Sequence, residues 1–257
     1  MEVASTTIDT PPGYTLPRHK LKTKLKDSTK TPLVVVGCGS YSPVTYLHLR
    51  MFEMGFDYIG DTDEFEIIGG YFSPVSDAYA KPGLAPWYHR VTMCELATHD
   101  STWIMVDTWE PSQTTYTRTA RVLEHFEFEL NGKDGDGGFL LEDGTKKKIR
   151  IVLLAGGDLI QSFAVPNLWK EADLNTILGR FGCLIIERTG ANVHDFLLTN
   201  DSLHIHKKSV WVVKQYIHND ISSTKIRLFI KRGMSIRYLL PDPVVDYIHQ
   251  NLLYGLE

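Results

Sequence analysis

Two loops of the sequence carry residues suited to holding a polyphosphate. The first lies in the stretch VVVGCGSYSPVTYLHLRMFEM, where a glycine-containing turn follows an apolar run and a helix begins near Pro43. Small residues let the backbone approach a phosphate, and a helix N-terminus directs unpaired N–H groups and a positive dipole end toward it. His48 lies about one turn into the predicted helix, so its side chain can donate to the same phosphate.

Two known loop patterns compete for this stretch. Gly37-x-Gly39-x-x-Ser42 approaches the dinucleotide fingerprint GxGxxG, but its third position is serine and Pro43 follows directly. The nucleotidyltransferase pattern G-x-(F/Y)-x-P-x-(T/H)-x-x-H is met at every position, by Gly39, Tyr41, Pro43, Thr45 and His48. The sequence therefore favours a nucleotidyltransferase loop, and a dinucleotide-dependent oxidoreductase is the alternative.

The second loop, NDISSTKIR at residues 219–227, lies near the end of the chain. Ser222 or Ser223 is a suitable N-cap, which places Thr224, Lys225 and Arg227 in the first helical turn. Cations are electrostatically unfavourable at a helix N-terminus. A bound polyanion would remove this conflict. The alternative is an ordinary capped helix with solvated cations.

Apolar runs alternate with helical patterns along most of the chain. The predicted strands are residues 33–36, 66–70, 103–106, 149–154, 183–186 and 210–213. The predicted helices are residues 44–56, 86–98, 115–130, a stretch from 158 onward, 193–199, 222–232 and 243–252. Such alternation predicts a single α/β domain, a Rossmann-like doubly wound parallel sheet with helices on both faces. Ligands of these folds bind at the carboxyl ends of the strands, near the point where strand order reverses.

Two segments fall outside this alternation. Residues 1–31 are polar and proline-rich and then basic, and we expect a flexible N-terminal extension before a nucleotidyltransferase domain at residues 32–257. Residues 131–148 are rich in Gly, Asp and Lys, which indicates a mobile surface insertion. Its basic run Lys146–Lys148 reads as a solvated lead-in to a strand, with a nuclear signal as the alternative.

Composition excludes several classes of partner. The 257-residue chain has a formal net charge of −4, which gives no reason to expect a nucleic-acid or membrane surface. No apolar run is long enough to span a bilayer. The three cysteines are widely separated and form no CxxC pair, which indicates a reducing compartment, the cytoplasm and/or the nucleus. We also expect a homo-oligomer.

With both loops in view, the sequence resembles the eukaryotic nicotinamide mononucleotide adenylyltransferases. The matching stretches are GSYSPVTYLHLRMFE, YFSPVSDAY-x-KPGL, VDTWE, SFAVPNLW, NDISSTKIR and GMSIRYLLPDPVVDYI. These stretches occur in the same order between Leu33 and Tyr254. The first loop alone indicates a nucleotidyltransferase, and the stretches SPV-x-DAY and SFAVPNLW narrow the resemblance to this family. The resemblance implies transfer of AMP from ATP to a pyridine mononucleotide, in NAD biosynthesis. It also allows an additional non-catalytic, chaperone-like role.

The resemblance implies roles for individual residues. Expected contacts to ATP or NAD come from Gly39, Ser40, Tyr41, Gly156, Asp158, Gln215, Ser222, Ser223 and Thr224. Expected catalytic residues, which hold the ATP phosphates, are His48, Lys225 and Arg227. On the mononucleotide side, the resemblance assigns the phosphate to Lys81 and the pyridine to Tyr116, Thr119, Leu168 and Trp169, with Trp169 stacking on the ring.

Three positions depart from the family pattern. Ser42 replaces the usual asparagine of the first loop, Tyr116 stands where tryptophan is common, and Gln215 where glutamate is common. None of these changes removes an expected phosphate ligand, but contacts to the bases are expected to differ.

The expected reaction needs little from the protein beyond positioning and charge. A phosphate monoester has a second pKa of about 6, so the attacking oxygen is already ionised and no general base is required. We find no metal-ligand cluster in the sequence. His204-x-His206 comes nearest, and a surface strand or turn explains it. Mg²⁺ is expected to enter on the ATP phosphates, because proteins hold this ion mainly through substrate phosphates and water.

Overall fold

The β-branched runs of the sequence form strands in the computed structural model, which describes residues 10–132, 135–163, 165, 167–187, 193–199 and 201–255. The strands are β1 (Thr31–Gly39), β2 (Phe65–Pro74), β3 (Ile104–Val106), β4 (Phe139–Leu140), β5 (Lys146–Lys147), β6 (Arg150–Gly156), β7 (Cys183–Glu187) and β8 (Val210–Lys214). Six of them form one parallel sheet in the order β3-β2-β1-β6-β7-β8. Strand order therefore reverses between β1 and β6.

Helices cover both faces of this sheet. They are α1 (Tyr46–Gly60), α2 (Trp87–Ala97), α3 (Thr119–Asn131), α4 (Gly157–Ser162), α5 (Glu171–Asn175), α6 (Val193–Thr199), α7 (Asp201–Ile205), α8 (Ser223–Lys231) and α9 (Asp242–Gln250). A π-helical segment, Thr176–Phe181, follows α5, and short 3-10 turns lie at Asp77–Tyr79 and Lys207–Ser209.

Alternate residues of β1 show how the two faces are filled. Val34 and Val36 pack in a core with residues of α3, α4 and the π-helical segment. Leu33 and Val35 pack on the opposite face with residues of α1, α2, α8 and α9. Because successive side chains of a strand point to opposite faces, a central strand buried on both sides must be apolar throughout. The predicted doubly wound fold, with helices on both faces in one domain, is confirmed.

The N-terminal segment contradicts the expectation of a flexible extension from residue 14 onward. Leu16 and Leu25 are 1% and 6% exposed and belong to the core beside α3. The hydroxyl of Tyr14 donates to Oδ1 of Asp107 at 2.7 Å, and the Lys22 N–H donates to the Ile68 carbonyl at 2.8 Å. These contacts span long stretches of sequence, which local pattern does not reveal. Residues 1–9 lie outside the described part of the chain.

The segment expected to be a mobile insertion contains a folded hairpin. Strands β4 and β5 pair antiparallel, and Phe139 is 7% exposed in the core next to α3. The Lys147 ammonium donates to the carbonyls of three N-terminal residues, namely Ser28, Thr29 and Lys30. The hairpin is thus tied to the N-terminal segment, although most of its residues are exposed.

Candidate active site

A cleft of about 510 Å³ lies at the carboxyl ends of β1 and β6, where strand order reverses. This is the position at which open α/β sheets bind ligands. Eleven of the predicted site residues line it, namely Gly39, Ser40, Tyr41, His48, Lys81, Gly156, Asp158, Ser222, Ser223, Thr224 and Arg227. Residues from four separate stretches of the chain therefore meet in one cavity.

The first wall is the loop that follows β1, residues 39–45, which we call the phosphate loop. Its Tyr41 has a positive φ of 46° and a ring that is 7% exposed, packed edge-on against Phe72 at 4.7 Å. A Cβ at Gly37 or Gly39 would come within 2.9 Å of the Tyr41 side chain. The two glycines therefore make room for this ring, a reason for small residues that the sequence argument did not include.

His48 is oriented by the first turn of α1. The Thr45 backbone N–H donates to Nδ1 of His48 at 3.0 Å, and the Thr45 hydroxyl lies 2.8 Å from the same nitrogen. A backbone N–H can only donate, so Nδ1 is the acceptor and the ring carries its hydrogen on Nε2. The ring lines the cleft, and the sequence therefore places an oriented donor on the phosphate loop's helix.

The N-terminus of α8 forms the opposite wall. Ser222 caps the helix, because its hydroxyl accepts the Lys225 N–H at 3.3 Å. Ser223 donates to the Pro43 carbonyl at 2.8 Å, and Nη1 of Arg227 donates to the Ser42 carbonyl at 2.7 Å. The N-terminus of α8, the guanidinium of Arg227 and the His48 side chain of α1 thus meet at the same cleft.

Lys225 lies in the first turn of α8, as predicted, and its side chain does not reach the cleft lining. Its ammonium forms an ion pair with Asp220, its side chain is 55% exposed, and it is not among the residues that line the cleft. Gln215, predicted on the adenosine side, follows β8 and donates to the Asn219 carbonyl at 3.2 Å. Neither residue is brought together with the other predicted ligands in this conformation.

Two residues predicted to bind the pyridine, Tyr116 and Trp169, do not line the cleft but contact residues that do. Tyr116 stacks on Tyr79 with ring centroids 5.6 Å apart and an angle of 29° between the planes. Trp169 donates from Nε1 to the Ser162 hydroxyl at 3.1 Å. Tyr79 and Ser162 line the cleft, whereas Tyr116 and Trp169 do not.

The remaining two pyridine residues, Thr119 and Leu168, also lie outside the cleft lining. Thr119 begins α3, and Leu168 is 60% exposed. Most residues predicted to hold phosphates therefore line the cleft, and the four residues predicted to hold the pyridine do not.

Eight residues of the cleft lining were not predicted from the sequence, namely Cys38, Met51, Tyr79, Leu84, Leu154, Ala155, Leu159 and Ser162. Tyr79 lies inside the SPV-x-DAY stretch that carries part of the resemblance, so that stretch contained a signal for it. The apolar members come from β6, α1, α4 and the loop before α2, and nothing in an apolar residue's type distinguishes a cleft wall from a core.

Two buried carboxyl groups, Asp107 and Glu110, follow β3 in the chain. Glu110 is 3% exposed and accepts the Ser73 hydroxyl at 2.5 Å, and burial raises its pKa to about 8. Burial also raises the pKa of Asp107 to about 7, against the stabilising effect of the Tyr14 hydrogen bond. Both groups hold protons at pH values where an exposed carboxyl is ionised.

His125 shares this buried region. Its Nε2 lies 2.9 Å from the Tyr14 hydroxyl, and its ring stacks on Trp109 with centroids 4.1 Å apart. Burial lowers the pKa of His125 to about 3. The imidazole is therefore neutral at physiological pH.

The described part of the chain contains no group of three or more His, Cys, Asp or Glu residues placed to hold a metal ion. Nε2 of His206 lies 3.0 Å from Oδ1 of Asn175, and Nε2 of His204 lies 3.3 Å from the Lys207 ammonium. These two histidines therefore have separate partners. Over the same described residues, no helix has the length and apolar character needed to cross a membrane.

Comparison with known proteins agrees with this geometry. Residues 36–229 match the model of the cytidylyltransferase-like family. A nicotinamide/nicotinic acid mononucleotide adenylyltransferase 2 of Saccharomyces cerevisiae is 57% identical over 242 residues, which cover 94% of this chain and 61% of the yeast protein. The chain thus spans about three fifths of the length of that relative.

A bovine protein matches over nearly its whole length. The nicotinamide/nicotinic acid mononucleotide adenylyltransferase 1 of Bos taurus is 41% identical, with 91% of this chain and 92% of that protein covered. The fold is also that of a solved Plasmodium falciparum nicotinic acid mononucleotide adenylyltransferase, with a TM-score of 0.60 at 19% identity, over 88% of this chain and 98% of the other. The chain belongs to the cytidylyltransferase-like family and, within it, to the nicotinamide/nicotinic acid mononucleotide adenylyltransferases.

Proposed function

We propose that this protein transfers the AMP moiety of ATP to nicotinamide mononucleotide, and to nicotinate mononucleotide, giving NAD or deamido-NAD and pyrophosphate. One observation carries the proposal above the others. The N-terminus of α8 and the side chains of His48 and Arg227 face a single cleft, which Lys81 enters from a third part of the chain. This arrangement suits two phosphorylated substrates held side by side.

The chemistry follows from charge and position. A phosphate oxygen of the mononucleotide attacks the α-phosphorus of ATP, a new P–O bond forms, and the bond to the bridging oxygen of pyrophosphate breaks with its electron pair. The attacking phosphate is ionised at neutral pH because its second pKa is about 6. The protein therefore has to align the two phosphates and stabilise the charge that moves to the leaving group.

The charged and hydrogen-bonding groups of the cleft divide this task. Lys81 binds the mononucleotide phosphate, and Arg227 with the N–H groups of α8 binds the ATP phosphates. The Nε2–H of His48 donates to the phosphate oxygens as negative charge shifts toward pyrophosphate. A donor that binds this charge more strongly in the transition state than in the ground state raises kcat. Lys225 joins this group if it exchanges Asp220 for a phosphate.

The cleft supports the proposal that Mg²⁺ arrives with ATP. Among the described residues that line the cavity, Asp158 is the single one with a carboxylate side chain. One carboxylate does not make a cage for Mg²⁺, which is usually held by substrate phosphates and water. When bound there, the ion would neutralise part of the triphosphate charge.

Two further parts of the proposal concern the whole protein. The three cysteines are free thiols, which supports a reducing compartment such as the cytoplasm or nucleus. A homo-oligomer stays a prediction.

The experiment that tests the proposal is pyrophosphate release from ATP, Mg²⁺ and each mononucleotide, with the dinucleotide identified by mass spectrometry. We expect NAD and pyrophosphate in equal amounts from nicotinamide mononucleotide. The alternative, a dinucleotide-dependent oxidoreductase, predicts no pyrophosphate and a spectral change with hydride donors. Absence of pyrophosphate with both mononucleotides would refute the proposed function.

A further inference from the structure

Arg90 is a buried arginine in α2, directly behind the cleft. Its side chain is 0% exposed. Nε donates to the Ala85 carbonyl at 2.8 Å, Nη2 to Oδ1 of Asp77 at 2.9 Å, and Nη1 to the Ser40 carbonyl at 3.1 Å. Burying a charged group is costly unless it is paired and hydrogen-bonded, and each nitrogen of this guanidinium has a partner.

The partners of Arg90 belong to two separate parts of the site. Asp77 and Ala85 are the two ends of residues 77–85, which we call the Lys81 segment because it carries Lys81 into the cleft. Ser40 belongs to the phosphate loop. The Arg90 side chain thus bonds to both ends of the Lys81 segment and to the backbone of the phosphate loop.

The Lys81 segment is mostly exposed between its two ends. Residues 77–83 are exposed, and Ala80 and Gly83 adopt positive φ values of 50° and 78° within a turn. An exposed turn has few packing contacts, so its position depends on how its ends are anchored.

A second tie runs parallel to the first. The Ser42 hydroxyl accepts the Ala85 N–H at 2.9 Å and lies 2.9 Å from the hydroxyl of Tyr254. The Ser42 carbonyl accepts Nη1 of Arg227. The Lys81 segment, the phosphate loop and the guanidinium of α8 are therefore linked through one hydrogen-bond network.

We propose that Arg90 is a positioning residue that sets the distance between Lys81 and the phosphate loop, and hence between the two substrate phosphates. The inference rests on the proposed function, in which the reacting atoms must approach to about 3–3.5 Å. Arginine suits this role because its planar fork holds donors in fixed directions. Lysine keeps the charge but has no such fork.

The first test is Asp77→Asn, which changes the anchor without touching the cleft residues. Oδ1 of Asp77 accepts from Arg90 and Oδ2 accepts the Trp87 N–H at 3.2 Å. Asparagine offers one oxygen acceptor and places an NH₂ group against the other donor. The Asp77 side chain is 50% exposed and asparagine has the same shape, so we expect the Asp77→Asn protein to fold.

We expect Asp77→Asn to raise KM for nicotinamide mononucleotide by about three- to tenfold, the scale of coupling between residues in one network. KM for ATP should stay within about twofold, because the phosphate loop keeps its other contacts with α8. Arg90→Lys should shift KM for the mononucleotide in the same direction and further. Glu127→Gln is the matched control, since Glu127 pairs with Lys148 at 2.7 Å away from the cleft.

The Lys81→Ala background separates positioning from a merely structural effect. If Asp77 and Arg90 act through Lys81, adding Asp77→Asn to Lys81→Ala should change KM for the mononucleotide by less than about twofold. Effects that multiply in the double variant, or a lowered Tm with wild-type KM, would overturn the inference while leaving the proposed function intact. Absence of NAD formation by the wild-type protein would instead refute the proposed function, on which the inference depends.

Discussion

At the scale of single residues, the site depends on hydrogen bonds that orient side chains before substrate arrives. Thr45 fixes His48 through its backbone N–H, and Ser222 caps the helix that carries Arg227. The sequence identified these residue types and their spacing. It could not show which nitrogen of His48 carries the hydrogen, because that depends on a bond formed only when α1 is folded.

His48→Ala should lower kcat by about 10²–10³, the usual cost of removing one preorganised donor from a transition state. The fold should survive, and KM for the mononucleotide should change little. His89→Ala is the matched control, because His89 bonds to the hydroxyl of Tyr247 on α9 and does not line the cleft. A His48→Ala protein with unchanged Tm and near-normal kcat would show that His48 has no catalytic role.

The buried carboxyls predict a pH dependence of stability. The pKa values of Asp107 and Glu110 are raised to about 7 and about 8, so the folded state holds these protons more tightly than the unfolded state. Their contribution to stability is full below about pH 4 and is lost as the pH rises through those values. His125 has the opposite sign, since its pKa is lowered to about 3 and its contribution is lost as the pH falls below about 6.5.

Between pH 6.5 and 8 the carboxyl effect therefore dominates, and Tm should fall as the pH rises. Each pKa unit corresponds to about 1.4 kcal/mol, so the fall amounts to a few kcal/mol. Glu110→Gln and Asp107→Asn should each flatten the curve of Tm against pH measured by calorimetry. Curves for the two variants that run parallel to the wild-type curve would contradict these pKa shifts.

At the scale of elements, strong local patterns were predicted and long-range packing was not. All six strands of the main sheet were predicted, because apolar runs such as residues 33–36 and 183–186 are buried on both faces. The helix predicted over residues 115–130 begins later, at Thr119, because Arg118 is its N-cap. The N-terminal segment and the hairpin of β4 and β5 were missed because isolated residues such as Leu16 and Phe139, rather than periodic apolar runs, anchor them.

The N-terminal segment should contribute to stability. Leu16→Ala should lower the free energy of unfolding by about 2–5 kcal/mol, the range for a buried leucine in a packed core. Leu198→Ala, at a position that is 68% exposed, is the control and should have little effect. Chemical denaturation measures both. Equal stability of the Leu16→Ala and wild-type proteins would mean that this segment does not pack on the core.

At the scale of the whole molecule, the cleft differs in charge from its surroundings. The chain has a formal net charge of −4, yet Lys81 and Arg227 reach the same cavity together with the N-terminus of α8. A local positive field in an acidic protein attracts anionic substrates without a general affinity for polyanions. Residue spacing predicted a set of phosphate-binding candidates that the structure brings to one cleft. The candidates for the pyridine, such as Tyr116 and Trp169, lie outside the cleft lining, because their positions depend on how separate loops pack.

Isotope labelling shows whether a mononucleotide phosphate oxygen attacks the α-phosphorus of ATP. Nicotinamide mononucleotide with ¹⁸O in its phosphate is incubated with ATP, Mg²⁺ and the protein, and the masses of the products are measured by mass spectrometry. We expect NAD to retain all the label and pyrophosphate to contain none. Label in pyrophosphate, or ADP and phosphate in place of pyrophosphate, would contradict this mechanism.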